Sequence, residues 1–432
     1  MVMMPTIDGP LLSRRAILLT LAAATLPLAA CGGSGGGPPL LVAKGVKRVE
    51  PGPDAPVAQA VDALADFGHR LCMASAEEGQ NWITSPLSIA VAFAMARAGA
   101  GGTTASQLDT LFGYPGRGRD EAFNALTRQL ATTDVPPVPD RKPRTGNRKS
   151  LPPVVSIGNA LFPQKGFPIG EPFLRTLAEQ YGAGARPVDF AGADALKQIN
   201  TWVDRQTAGR IRKVFDQLDP TTKLVLANTV YFKADWQAPF LSMATDAAFS
   251  RADGSTVQAP TMNESMAIRY AAVAGGKAIE LPYAAGPYAM WLMLPPPGGQ
   301  PEDMLAPAAL AAIRAAWHDT RVDVAIPKWE FDTSLDLTAV LKKLGLTAPF
   351  AADADFGGIA PGLFISDAAH AANITVDEWG TEAAAVTGIA MAMSGPAPTV
   401  EEFHADRPFA FAIVGGRDGV PLFVGRVSDP TA

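Results

Sequence analysis

The side chains able to do covalent or metal chemistry are few and scattered along this chain of 432 residues. His69, His318, His370 and His404 are its histidines, and no H-E-x-x-H or paired-cysteine spacing joins them into a metal ligand set. Gly32-Gly33-Ser34-Gly35-Gly36 spells the pattern of a serine nucleophile, G-x-S-x-G, but that elbow needs a strand before it and a helix after it. Here an apolar run precedes it and prolines follow, so a hydrolase has little support. No glycine-rich phosphate loop follows a strand, and no cofactor is expected. Chemistry of another kind is offered by Val376-Asp377-Glu378-Trp379-Gly380-Thr381-Glu382-Ala383-Ala384-Ala385-Val386-Thr387. Side chains of an extended segment alternate between faces. Thr381, Ala383, Ala385 and Thr387 therefore share one face, on which nothing exceeds threonine, while Glu382, Ala384 and Val386 share the other. Such a segment can slide between two strands without steric cost and stays soluble outside them. It leads through Gly388 into Ile389-Ala390-Met391-Ala392-Met393, then Ser394-Gly395-Pro396-Ala397-Pro398. Loops run over the surface, so an apolar tip between glycine and prolines is something offered to another protein.

The elements that must position this segment are legible from periodicity. Helical patterns run over 57–73, 86–99, about 103–112, 120–131, 193–209, 307–317 and 335–344. Val225-Leu226-Ala227 and the run 288–294 are short apolar stretches of the kind found in buried strands. Helices early and strands from 222 onward argue for an α+β fold over a doubly wound parallel sheet. From Asp134 to Pro153 the chain holds six prolines and five basic residues. That composition excludes helix and central strand, so the stretch reads as a surface insertion between a helix and a strand, either solvated or a contact for an acidic partner.

The run from Glu378 to Thr387 resembles the hinge of the reactive-centre loop in serpins. Asn81-Trp82-Ile83-Thr84-Ser85-Pro86-Leu87-Ser88-Ile89 is similar to that family's early strand-to-helix signature. Asn228-Thr229-Val230-Tyr231-Phe232-Lys233-Ala234-Asp235-Trp236 is similar to its central-sheet motif, with Ala234 where glycine is usual. Leu281-Pro282-Tyr283, Ile326-Pro327-Lys328-Trp329, Ile365-Ser366-Asp367 with His370, the run 403–409 and the run 422–427 follow in the expected order. Together they cover roughly residues 57 to 430.

The resemblance implies a serpin fold: early helices packed on a large central mixed β-sheet, two smaller sheets and an exposed reactive-centre loop over 378–402. It implies an inhibitor that acts as a suicide substrate and not an enzyme. A target serine protease would form a covalent acyl complex at the reactive bond, and the hinge, from Glu378 and Gly380 to Thr387, would then insert as a new strand. Family spacing places the bond after Ser394, or after Met393 in a loop one residue shorter, with Gly395 beyond. These small, uncharged residues suit elastase-, chymotrypsin- or subtilisin-like proteases better than trypsin-like ones. Trp236 and His370 are expected near the point where the loop enters the sheet. Trp379, where charged or polar residues are more usual, either packs down or lies on the surface. The other reading is a non-inhibitory relative acting as a binding or scaffold lipoprotein.

The start of the chain reads as an export signal. Arg14-Arg15 precede an apolar stretch from Ala16 to Ala30, too short for a membrane span of about 20 residues. Ser13-Arg14-Arg15 resembles a twin-arginine signal, and Leu28-Ala29-Ala30-Cys31 resembles a bacterial lipobox that would put lipid on Cys31. Residues 31–56, rich in Gly and Pro, read as a tether. The expected product is a monomer, lipid-anchored in the periplasm, at the outer membrane or on the surface of a bacterium. Without Arg14, Arg15 and Asp8 the net charge of −6 becomes −7, which argues against nucleic acid as a partner. Cys72 is then a lone thiol in a helical pattern, read as a small buried hydrophobe.

Overall fold

The computed structural model describes residues 39–133, 135–138, 151–381, 400–416 and 418–432. Within them the helices are α1 (Val57–Ser75), α2 (Pro86–Arg97), α3 (Gly102–Phe112), α4 (Arg119–Leu130), α5 (Glu171–Thr176), α6 (Ala195–Gln206), α7 (Pro307–Ala316) and α8 (Leu337–Lys343). The strands are β1 (Trp82–Thr84), β2 (Val154–Pro163), β3 (Leu224–Asp235), β4 (Thr245–Ser250), β5 (Thr256–Val273), β6 (Gly276–Pro282) and β7 (Tyr288–Leu294). They continue with β8 (His318–Pro327), β9 (Trp329–Asp336), β10 (Asp367–Asp377), β11 (Gly380–Thr381), β12 (Val400–His404), β13 (Phe409–Gly415) and β14 (Val420–Val427). Early helices and later strands make this an α+β fold, as expected. The ends of the predicted helices fall within three residues of those observed.

Local chemistry explains how the central helix is set. Ser85 caps α2 by accepting from the Ser88 N–H at 3.2 Å, and Pro86 occupies the first helical position, where no N–H is needed. Every residue from Pro86 to Ala96 is buried. A helix apolar all round belongs inside, and α2 contacts β2 and β3 of one sheet and β14 of the other.

Among the described residues the strands form two sheets. A five-stranded sheet runs β2-β3-β11-β10-β9, and a second path runs β1-β14-β13-β7-β6-β5-β8-β12 with β4 on β5. The two smaller sheets expected from the resemblance are thus one continuous ladder. The 18-residue β5 joins them, pairing with β8 over Thr261–Tyr270, with β6 over Arg269–Val273 and with β4 over Thr256–Thr261.

The tether expected over 31–56 is corrected in its described part. Leu41 and Ala185 exchange backbone hydrogen bonds at 2.7 and 3.0 Å, and Val49 N–H donates to Glu179. Arg48 Nε donates to Asn124 Oδ1 at 2.8 Å, and Ala43 is buried against Leu174, Ala178 and Ala185. From Leu41 the segment is a strap laid on the domain: Leu41–Glu50 holds no proline, so its backbone N–H groups are available to pair, and Ala43 and Arg48 supply the anchors. Between α4 and β2 the described residues 135–138 and 151–153 form no regular element; the rest of the stretch expected as an insertion lies outside the described residues.

Candidate functional site: a wedge in the central sheet

β3 and β10 carry the site between them. Their first halves pair in parallel, Val225–Thr229 against Asp367–Ala371. Beyond that point the strands part. At the far end β11 stands between them: Gly380 pairs with Asp235 and Asp377, and Thr381 with Ala234 and Val376. The intervening residues, Val230–Lys233 and Ala372–Thr375, have no ladder partner in each other among the described residues. On their outer edges these residues are backed by β2, paired with Leu224–Lys233, and by β9, paired with Ala369–Val376. The result is a wedge, closed at one end by strand pairing and plugged at the other by two residues of the predicted hinge.

Specific contacts hold the plug. Asp377 Oδ1 accepts from Trp379 N–H at 2.8 Å and from Gly380 N–H at 3.2 Å, which turns β10 back on itself. Burial pushes the Asp377 carboxyl up to about 6, against those two N–H donors, which act to lower it. Trp236 N–H donates to Trp379 O at 2.7 Å, and its indole N–H donates to Asp377 O at 3.0 Å. Gly380 is required by closeness of approach, because a Cβ there would lie 2.1 Å from the Ala234 carbonyl oxygen. Thr381 is buried, and its hydroxyl meets the Tyr283 hydroxyl at 2.7 Å. Tyr283 is stacked on Trp236, ring centroids 4.5 Å apart. Glu378 is ion-paired with Lys328 at 3.0 Å. Trp379 is half-buried, between the two outcomes left open for it.

The closed end is polar. His370 is fully buried; its Nε2 accepts from Ser85 N–H at 3.1 Å and its Nδ1 donates to Asn228 Oδ1. Asn228 in turn donates to Asn159 Oδ1 at 2.8 Å and to the Ser88 hydroxyl, which donates to Thr229 O. Burial holds the imidazole neutral, down to about 3, and the neutral ring supplies the one donor and one acceptor that this network uses. His370 therefore does not share the sheet-entry region with Trp236 as expected. It pairs with Asn228, seven residues along β3 from Asp235, about 20 Å away at strand rise.

Of the predicted hinge, Glu378, Gly380 and Thr381 come together here with Trp236. Glu382, Ala383, Ala384, Ala385, Val386 and Thr387, the reactive-bond residues Met393, Ser394 and Gly395, and Cys31 lie outside the described residues. In the sequence Asn228, Tyr283 and Lys328 are motif positions without an assigned role, Asp377 lies in the run leading to the hinge, and Asn159 stands in no motif. Their signal was weak, because a buried amide or tyrosine partner depends on what the fold places opposite it.

Comparison with known proteins agrees with this geometry. Residues 62–430 match the family model described as serpin (serine protease inhibitor). The chain is similar to a serpin-like protein of Thermococcus kodakarensis, 34% identical over 378 residues covering 86% of this chain and 85% of that one. It is also similar to Serpin-Z1C of Triticum aestivum, 34% identical over 371 residues covering 81% and 90% of the two chains. In fold it resembles the native thermophilic serpin Tengpin, with a TM-score of 0.76 at 24% identity over 85% of this chain and 94% of that one. With a family model spanning most of its length and two such relatives, the chain belongs to the serpin family.

Proposed function

We propose that this chain inhibits serine proteases by suicide-substrate trapping. A protease acylates the loop after Ser394 or Met393, the freed hinge inserts into the wedge, and the attached enzyme is distorted before water releases it. Loop insertion is an established behaviour of serpins and is adopted as such. The observation that carries the reading is the two-residue strand β11, which stands between β3 and β10 at the open end of the wedge and defines a register for the rest of the hinge. Continued by that register, Glu382 meets Lys233 and Thr375, Ala383 meets Phe232 and Ile374, and Ala385 meets Val230 and Ala372. Thr387 meets Asn228 and His370, so Val386 and Thr387 enter only as the parallel pairing of β3 with β10 gives way. Phe232, Ile374, Val230 and Ala372 are buried, so on insertion in that register the face carrying Thr381, Ala383 and Ala385 would turn to the core and Glu382 would turn outward beside Lys233. A charge on the inner face would be costly to bury, and the sequence places none there. At roughly 0.5–1.5 kcal/mol net per hydrogen bond, ten or more new ladder bonds release on the order of 10 kcal/mol, comparable to a domain's whole stability.

The proposed targets are elastase-, chymotrypsin- or subtilisin-like. Incubation with a subtilisin- or elastase-type protease gives a complex that survives SDS. Clean loop cleavage with no such complex favours the scaffold alternative instead. The proposal extends to an exported monomer anchored through lipid on Cys31, tested by intact-mass analysis of the mature N-terminus and by release from membranes on Cys31→Ala.

A further inference from the structure

The strap carries apolar surface that the fold leaves uncovered. Leu40, Leu41 and Val42 are 47%, 39% and 44% exposed, and contiguous exposed apolar side chains mark interaction sites. Their place is built. Leu41 exchanges backbone hydrogen bonds with Ala185. Gly184 lets the strap lie close, since a Cβ there would stand 2.1 Å from Leu41 O, 2.8 Å from Val42 Cγ1 and 3.1 Å from Leu40 Cδ1. Leu40 and Val42, two residues apart, thus reach over the same glycine. Ala43, next in the chain, is buried with Leu174 and Ala178 and pins the stretch to the domain.

The charge beside this stretch has one sign. Lys44 and Lys47 are exposed, and residues 39–49 hold no aspartate or glutamate. Arg48 is not part of that surface, because its guanidinium is engaged by Asn124 and Thr127. Glu50, the first carboxylate after the lysines, is ion-paired with Arg128. Aliphatic side chains with lysines at their margin match the boundary between water and an anionic bilayer. The aliphatic groups enter the headgroup region, and each lysine meets the surface charge.

We propose that residues 40–47 dock this chain on an anionic lipid surface, with Leu40 and Val42 in the headgroup boundary and Lys44 and Lys47 on lipid phosphates. The proposal rests on the anchored reading given above. Leu40 stands nine positions after Cys31, a reach of at most about 32 Å, so an anchor on Cys31 keeps the strap beside the bilayer. Docking also sets the direction of the wedge. Leu41 pairs with Ala185, Ala185 with Leu161, and Leu161 with Leu226 of β3. Asp235, which pairs with Gly380, lies nine residues further along β3, about 30 Å at strand rise. The docked strap is thus near one end of the sheet and the hinge at the other, open to a protease in solution.

The test is amine footprinting by mass spectrometry of the full chain reconstituted in vesicles, either of phosphatidylcholine alone or of equal parts phosphatidylcholine and phosphatidylglycerol. Whatever holds the N-terminus is the same in both, so a difference reports the strap. A lysine at an anionic surface is worth about fivefold in binding. Lys44 and Lys47 should therefore react at least about fivefold more slowly on the anionic vesicles, with the protection lost at high salt. Lys277, whose ammonium donates to Glu402 O of β12, should react alike on both. Leu40→Asp with Val42→Asp should remove the protection. Equal rates at Lys44 and Lys47 on the two vesicle types, or protection that survives the double variant, would overturn the proposal. So would protection in detergent that grows with protein concentration, which would make a second copy the occupant. Intact mass of the same sample reports lipid on Cys31 separately. Lipid present without protection refutes the docking alone; lipid absent refutes the anchored reading, while the rates still decide the docking.

Discussion

The carboxyl of Asp377 is held between burial, which favours its proton, and two backbone N–H groups, which favour its charge; burial prevails. Its folded value of about 6 lies above the ordinary 3.8. Between those limits the folded chain binds a proton that the unfolded chain does not, so this group's penalty grows as pH rises through 6. Asp377→Asn keeps an Oδ1 acceptor for Trp379 and Gly380 without the charge. It should raise stability at pH 8 by about 1–3 kcal/mol, with the gain vanishing below about pH 4, as read by urea unfolding across that range. His370 has the opposite sign. Its folded value of about 3 lies below 6.5, so stability is lost as pH falls through that window, by up to about 1.4 kcal/mol per pH unit. The two groups offset each other between pH 4 and 6, and Asp377→Asn should therefore also steepen acid unfolding there. At Thr381 the argument is steric and electrostatic. The position is buried against Tyr283, and Thr381→Arg should convert inhibition into plain cleavage, raising the protease stoichiometry at least about tenfold while the loop is still cut. An unchanged stoichiometry would refute the inserted register.

Among the elements, β3 and β10 are the pair that must separate, and the buried network at their closed end is what resists. Asn228→Ala removes partners from His370, Ser88 and Asn159 together. Leaving buried polar groups unsatisfied costs about 1–3 kcal/mol each, so the variant should lose about 2–4 kcal/mol in equilibrium unfolding; a loss below about 1 kcal/mol would mean the network is not what closes the wedge. Much at this scale was legible in sequence. The apolar periodicity of α1, α3 and α4 marked their faces, and the runs 225–227 and 288–294 lie in buried strands. β11 was not legible as a strand already in place, because two residues are too short a stretch to signal a strand and Gly380-Thr381 pairs only through its two neighbours. The strap from Leu41 was hidden by composition: glycine and proline read as tether, while its anchoring is a tertiary matter of Ala185 and Asn124. His370 was misplaced for a similar reason, since a motif gives chain order and not the register that sets it opposite Asn228. The continuity of β5 across two expected sheets is likewise a property of length and twist that no short motif encodes.

For the molecule as a whole, the account is of a sheet built one strand short, with that strand's first two residues in position. Alternation in the sequence puts Thr381, Ala383 and Ala385 on one face; of these, Thr381 lies among the described residues and is buried. That Gly380 and Thr381 pair with both β3 and β10 was not readable, because such pairing depends on where the two strands part. The most direct test is a thermal melt before and after cutting the loop between Met393 and Gly395. The account predicts that the nicked chain melts far higher, by some tens of degrees, with β3 and β10 amides newly protected from hydrogen exchange over 230–233 and 372–375. A nicked chain that melts with the intact one, and shows no new protection there, would contradict it.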